Sequence, residues 1–138
     1  MVRARWAETA DAGLLSAFPE WPEDLLARKL AGGEIALAEA EGRVVGYLAL
    51  ERLWALVPFV AHVWVDPAYR QRGLGRALLA LLEAEVRAQG QPFYYSSSQA
   101  DEPEPQAWRR RTGFEECGIL AGHDEGGVGE VFFRKWLR

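Results

Sequence analysis

The sequence predicts an α/β (α+β) fold: a mixed and mostly antiparallel central sheet of six to seven strands flanked by about four helices, in a single domain spanning residues 1–138. Three observations predict it. Short apolar or alternating runs bounded by Gly, Pro or acidic turns recur along the whole chain. Segments with helical spacing and caps fall between them. The stretch Val63-Trp64-Val65-Asp66-Pro67-Ala68-Tyr69-Arg70-Gln71-Arg72-Gly73-Leu74-Gly75-Arg76-Ala77 joins a buried strand to a long amphipathic helix through a glycine-bearing loop.

Taken in order, residues 2–6 alternate as an edge strand, and Asp11 supplies a carboxylate that can cap a helix running through Phe18. Pro19, Trp21 and Pro22 mark a turn, and a second short helix over 23–30 stops at Gly32-Gly33. Residues 34–39 and 44–52 are apolar strands joined by a hairpin turn at Ala40-Glu41-Gly42-Arg43. Residues 53–58, with Trp54, form a loop or strand entrance, and 59–65 the strand before the glycine loop. After that loop, Leu74, Leu78, Leu81, Leu82 and Val86 share one face of a helix reaching about Gln89, which Gly90 and Pro92 stop. Residues 93–98 make a strand with three serines and two tyrosines, unusually polar for the centre of a sheet, and the acidic segment 99–105 is a loop. A short helix over 106–112 ends at Gly113. Residues 114–120 and 129–137 then form a last antiparallel pair, joined by a glycine-rich loop with His123, Asp124 and Glu125.

Composition narrows the function classes. Hydrophobic residues at 49% and charged residues at 26% are those of a folded globular chain rather than a disordered one. No run approaches the ~18 apolar residues of a membrane span, and the start lacks the apolar core of a signal peptide, so the expected location is the cytoplasm. A net charge of −4 argues against nucleic acid, whose phosphates need a basic face. Cys117 is the only cysteine, and His62 and His123 lie far apart in the chain, which makes an internal disulfide impossible and a metal cluster unexpected.

Against that acidic background the glycine loop stands out. The first N–H groups of a helix have no partner within it, and its dipole adds roughly half a positive charge there. Gly73 and Gly75 let a ligand approach the backbone, while Arg70, Arg72 and Arg76 crowd the same spot, so a ligand carrying several phosphates is expected. A dinucleotide fingerprint would need glycine at Leu78, and an ATP-type loop would need Gly-Lys-Ser/Thr. Neither is present.

What remains, Arg-x-x-Gly-x-Gly after a strand ending Val-Asp-Pro, resembles the GNAT superfamily of acyl-CoA-dependent N-acetyltransferases, with Arg70, Gly73 and Gly75 at the fixed positions of its loop. Trp108-Arg109-Arg110-Arg111-Thr112-Gly113-Phe114 is similar to the family's helix closing in Gly-Phe, and the ending from Glu130 to Leu137 to its last strand. The resemblance implies acetyl-CoA as co-substrate, its pyrophosphate held by the backbone of Arg70, Gln71, Arg72, Gly73, Leu74, Gly75 and Arg76, and its pantetheine arm paired with Val63, Trp64 and Val65. It implies no metal. Strand 93–98 would be the other side of that slot, and Phe18, Trp21 and Leu25 contacts of the acceptor groove. The acceptor would be a primary amine of a small molecule or a peptide; relatives are often homodimers, which makes the terminal strands candidate contacts.

For the chemistry, His62 is the candidate general base, with Glu51, Glu102 and Glu104 as rivals, and Tyr95 or a neighbouring serine the hydroxyl facing the acceptor. Many relatives carry a tyrosine four residues before the Gly of Gly-Phe, where its hydroxyl can protonate the departing thiolate. Arg109 stands there in this chain, and an arginine is a poor proton donor, so it would act by charge or grip a phosphate instead. A non-catalytic acyl-CoA-binding regulatory module is the alternative this departure leaves open.

Overall fold

A computed structural model of the chain describes residues 2–15 and 21–137. The elements run β1 (Val2–Trp6), α1 (Ala12–Leu15), α2 (Glu23–Ala31), β2 (Ile35–Ala40), β3 (Arg43–Leu53), β4 (Val57–Val65), α3 (Leu74–Ala88), β5 (Phe93–Gln99), α4 (Pro103–Arg111), β6 (Glu115–Leu120) and β7 (Glu130–Trp136). The strands form a seven-stranded sheet in the order β1-β2-β3-β4-β5-β7-β6. β1 with β2, β2 with β3, β5 with β7 and β6 with β7 pair antiparallel, and β4 with β5 pairs parallel at Phe59↔Tyr95 and Val60↔Ser96. The mixed, mostly antiparallel sheet expected from the sequence is therefore the one observed. Its packing falls into two compact units, Met1–Leu50 with His62–Leu82, and Glu51–Ala61 with Glu83–Arg138.

In the first unit, Leu15, Leu26, Leu30, Ile35, Leu37, Tyr47 and Ala49 close a core against which Trp21, Val44 and Trp64 pack. Each leucine and Ile35 contributes about 1.5 to 3 kcal/mol by leaving water, before entropy is counted. The hairpin turn between β2 and β3 places Glu41 at φ 54° and Gly42 at φ 74°, the two left-handed residues that a type I′ turn requires. Leu81 is less buried than the sequence spacing suggested, and Leu79 and Glu83 join Leu74, Leu78, Leu82 and Val86 on the buried side of α3.

Asp11 takes part in capping: it closes a capping box at the single 3-10 turn Thr9–Asp11 that leads into α1. Its carboxylate accepts both Arg5 Nη1 and Arg5 Nη2 at 2.9 Å and the Glu8 N–H at 2.7 Å, tying β1 to the turn before α1. The bidentate guanidinium and the backbone amide hold the Asp11 carboxyl at about 2, below its ordinary 3.8. A depressed folded-state value means the stabilisation is present above about pH 4 and is lost as the pH falls through about 2, for a total of about 2 kcal/mol. Asp11→Asn should lower the urea-unfolding free energy by that amount at pH 7, and the difference should shrink towards zero near pH 2.

In the second unit, the C-terminal part of α3 meets β5 and β7 through one carboxylate. Glu83 accepts the buried Tyr94 hydroxyl at 2.7 Å and pairs with Lys135 Nζ at 2.7 Å, while Tyr94 rests edge-on against Phe114. α4 begins at Pro103, three residues earlier than the sequence suggested, because a proline in the first helical turn removes only an N–H that has no intrahelical partner. The helix closes where Thr112 Oγ1 donates to Trp108 O at 2.9 Å and Gly113 turns to φ 102°. Residues 57 and 58 belong to β4 rather than to a loop, since the turn before them closes over Trp54 and Ala55, both at positive φ, by a Leu56 N–H bond to Leu53 O.

Candidate active site

In the first unit the site is built at the end of β4. Asp66 accepts the Ala68 N–H at 2.9 Å and starts a single 3-10 turn, Pro67–Tyr69, which brings the chain round for α3. Arg70 Nε then donates to Val65 O at 2.8 Å. Arg70 thus braces the strand end, and Val65 has its carbonyl committed there, leaving the N–H side of the strand as what a ligand could use. Gln71 at φ 64° and Gly73 at φ 82° make two left-handed bends in three residues, and the first carbonyl-bonded amide of α3 is Ala77, whose N–H reaches Gly73 O at 2.9 Å. The N–H groups of Leu74 and Gly75 precede that bond and point out of the helix end, as anion-binding helix termini do.

The positive charge is organised around Tyr69. Arg72 lies over its ring at 4.9 Å and pairs with Glu41 at 3.3 Å; Arg43 donates to the Tyr69 hydroxyl at 3.3 Å from across the sheet. Sequence reasoning missed Arg43 and Tyr69, because what brings Arg43 to the loop is the register of β3. Behind the loop, Trp21 contacts Tyr47 at 5.7 Å and His62 at 5.9 Å between ring centroids, and Tyr47 leans on Trp64 at 6.3 Å. His62, exposed, and Trp64 therefore share one aromatic cluster with Trp21, as their positions two apart in the strand suggested. Leu25 is half-buried on α2; Phe18 lies outside the described residues.

The second unit holds Tyr95 and Arg109. Tyr95 is half-buried in β5, edge-on to Phe93 at 5.4 Å, opposite Arg134 on β7. Arg109 is 7% exposed. Its Nε donates to Ser96 Oγ at 3.0 Å, its Nη1 to Pro105 O at 3.1 Å, and the Ser96 hydroxyl passes the chain on to Val60 O at 3.0 Å. Burial pulls the Arg109 guanidinium below its usual range, against the opposing pull of Glu130 and Glu102. On the other face of β5, Ser97 donates to Glu130, and burial, opposed by that bond and reinforced by Asp124, holds the Glu130 carboxyl up. Ser96 and Ser97 thus bond on opposite faces of β5. Ser96 and Glu130 were missed as site residues: alternation assigns the faces of a strand but not what packs on them. Among the described residues no group of His, Cys, Asp and Glu could hold a metal, and no helix is long and apolar enough to cross a membrane.

The pattern of the acetyltransferase (GNAT) family matches residues 3–114. The chain is 32% identical over 114 residues to the N-alpha-acetyltransferase RimI of Mycobacterium tuberculosis, covering 79% of this chain and 70% of that one. Two further relatives, 35% and 30% identical, are longer, and the chain spans 28% and 37% of them. Among solved structures, a ribosomal-protein-alanine N-acetyltransferase from Brucella melitensis superposes with TM-score 0.75 at 26% identity, over 97% of this chain and 99% of that one. A putative streptothricin acetyltransferase from Bacillus anthracis, solved in complex with acetyl coenzyme A, superposes with TM-score 0.70 at 18% identity, over 75% of this chain and 62% of that one. This chain belongs to the acetyltransferase (GNAT) family.

Proposed function

We propose that this protein is an N-acetyltransferase that moves an acetyl group from acetyl-CoA to a primary amine by direct transfer, without a covalent enzyme intermediate. The observation that carries the reading is the α3 N-terminus, where two left-handed bends at Gln71 and Gly73 present backbone N–H groups beside Arg72. Pyrophosphate is the guest such a cradle suits: it is doubly anionic, and the acceptors it needs are oxygens rather than shaped apolar surface. In this reading residues 70–76 hold the diphosphate and the backbone of Val63, Trp64 and Val65 lies along the pantetheine arm. A solved relative of the same fold is in complex with acetyl coenzyme A, which supports the choice of anion.

Chemistry then asks for alignment, a base and a place for negative charge. Holding amine and thioester in register lowers the barrier by several kcal/mol, roughly 7 to 11 at the most. His62, on the exposed side of β4 and braced by Trp21, is the proposed base. An α-amino group of a protein is the favoured acceptor within the broader class of small-molecule and peptide amines, on the strength of the N-alpha-acetyltransferase to which the chain is 32% identical. Release of free thiol from acetyl-CoA, followed across a panel of peptides and small amines, tests the assignment. Binding of coenzyme A with no thiol released from any amine would instead favour the non-catalytic module, which Arg109 in place of a proton-donating tyrosine keeps in view.

His62→Ala checks the base. A positioned general base contributes about 10²- to 10⁴-fold, so kcat should fall by at least a hundredfold, and the rising limb of the pH–rate profile should vanish. An unaltered profile would hand the role to Glu51 or to water.

A further inference from the structure

The β2–β3 turn carries a residue that its geometry does not ask for. Glu41 stands at φ 54°, a left-handed conformation whose ordinary occupants are Asn, Asp and Gly, and in which a side chain as long as glutamate is disfavoured. The Glu41 carboxylate reaches out of the turn to Arg72 in the glycine loop, through one contact between Oε1 and Nη1 at 3.3 Å. The two side chains are 61% and 48% exposed, and an exposed ion pair made by a single long contact stabilises a fold little. Arg5 and Asp11, in the same unit, are joined far more firmly, by two bonds of 2.9 Å each. Neither the turn nor the fold accounts for a glutamate at 41.

Arg72 keeps its place without that partner. Its guanidinium lies over the Tyr69 ring at 4.9 Å, and Tyr69 is fixed by its own N–H bond to Asp66 O at 2.8 Å and by the bond its hydroxyl accepts from Arg43 at 3.3 Å. Arg43 carries no ion pair among the described residues. Two guanidinium groups thus meet at one ring against a single carboxylate, and all four residues belong to the first unit. Arg72 is the residue just ahead of Gly73, so the carboxylate it holds marks a spot beside the loop where an anion binds. A phosphate group brings about two negative charges and several acceptor oxygens to such a guanidinium, more than one carboxylate oxygen supplies. It would displace Glu41 and leave Arg72 on its ring.

We propose that Glu41 competes with a phosphate of the coenzyme for Arg72, and so sets a weaker hold and a faster release than the glycine loop alone would give. The ligand phosphate displaces the carboxylate on binding, and the carboxylate recaptures the guanidinium as the ligand departs. A glutamate strained into a left-handed turn residue and tied by one loose contact is suited to that exchange, because little is lost when the contact opens. The inference rests on the reading of residues 70–76 as a coenzyme A site. Coenzyme A carries the required chemistry twice, in its diphosphate and in the 3′-phosphate of its ribose, and experiment separates the two.

The test is calorimetry with coenzyme A and with 3′-dephospho-coenzyme A, together with the dissociation rate of coenzyme A by stopped flow. Glu41→Gln should tighten coenzyme A by at least about threefold, chiefly through slower dissociation. Glu41→Asp keeps the charge but is one methylene too short for the contact, so it should tighten coenzyme A by a similar factor. An aspartate variant that binds like the unaltered protein while the glutamine variant binds tighter would mean that Glu41 acts only through its general field, and the competition is overturned. In an Arg72→Gln background, Glu41→Gln should change affinity by less than about 1.5-fold; an undiminished gain there overturns it as well. A gain confined to coenzyme A identifies the 3′-phosphate as the competing group, and an equal gain for 3′-dephospho-coenzyme A identifies the diphosphate. If neither single variant binds more tightly than the unaltered protein, the inference falls and the loop assignment stands. Absence of coenzyme A binding to the unaltered protein would overturn the acetyl-transfer reading itself, and this inference with it.

Discussion

Gly73→Asp should raise the dissociation constant for coenzyme A by more than tenfold, a loss of at least about 1.4 kcal/mol. Two effects combine. The carboxylate would project where the diphosphate is proposed to sit, opposing the helix dipole that favours an anion there. The backbone at 73 has φ 82°, which a side chain with a Cβ adopts at a cost of about 1 kcal/mol, so the loop itself would tend to relax. Gly73→Ala separates the two. A methyl group at this position meets nothing within 4 Å, so the alanine variant carries the backbone strain without clash or charge. Calorimetry on both variants should show a modest loss for alanine and the large loss for aspartate, with similar melting temperatures for the pair. Equal affinities in aspartate variant and unaltered protein would remove the loop from the binding site.

The order of elements was legible because each is punctuated locally. Gly32-Gly33, Gly42, Gly90 and Gly113 stand at turns or helix ends, and all eight glycines at positive φ among the described residues fall between elements or in a short 3-10 turn where local chemistry decides. Boundaries moved where the deciding group was not local: α4 starts at Pro103 rather than at residue 106, and the Asp11 carboxylate, besides closing its capping box, binds Arg5 of β1. The candidate site divides the same way. The glycine loop is contiguous in sequence, so its chemistry could be read from residues 70–76 alone. Arg43 against Tyr69, Ser96 beneath Arg109 and Ser97 with Glu130 are separated by 26, 13 and 33 positions, and only tertiary packing brings them together. Gly46 was the readable signal left unread: a glycine inside an apolar strand marks a close approach of backbone.

Gly46→Val should cost about 3 kcal/mol of folding stability and most of the turnover, by pressing on the backbone of Trp64 and Val65 proposed to lie along the pantetheine arm. A Cβ built on Gly46 would stand 2.6 Å from the Trp64 carbonyl oxygen and 3.2 Å from the Val65 Cα, and neither is the mobile tip of a side chain that could swing aside. β3 cannot simply draw back, because the neighbouring Val45 carbonyl takes the Asp66 N–H at 2.7 Å and ties β3 to the end of β4. The β2–β3 register is already irregular next to this point, between Ala38, which pairs with Gly46, and Glu39. A side chain at 46 must therefore push the Trp64–Asp66 segment away from β3, and with it the strand end that Arg70 clamps through Val65 O. The alternation of buried and half-buried residues that β4 keeps from Val57 to Val60 also lapses after Ala61, so this is the part of the strand with least packing to resist such a push. Urea unfolding of Gly46→Ala and Gly46→Val should show a graded loss of midpoint, and coenzyme A affinity should fall in step with it; a valine variant with an unchanged midpoint and undiminished thiol release would mean that the backbone at Trp64 yields freely and that its position is not what the transfer depends on.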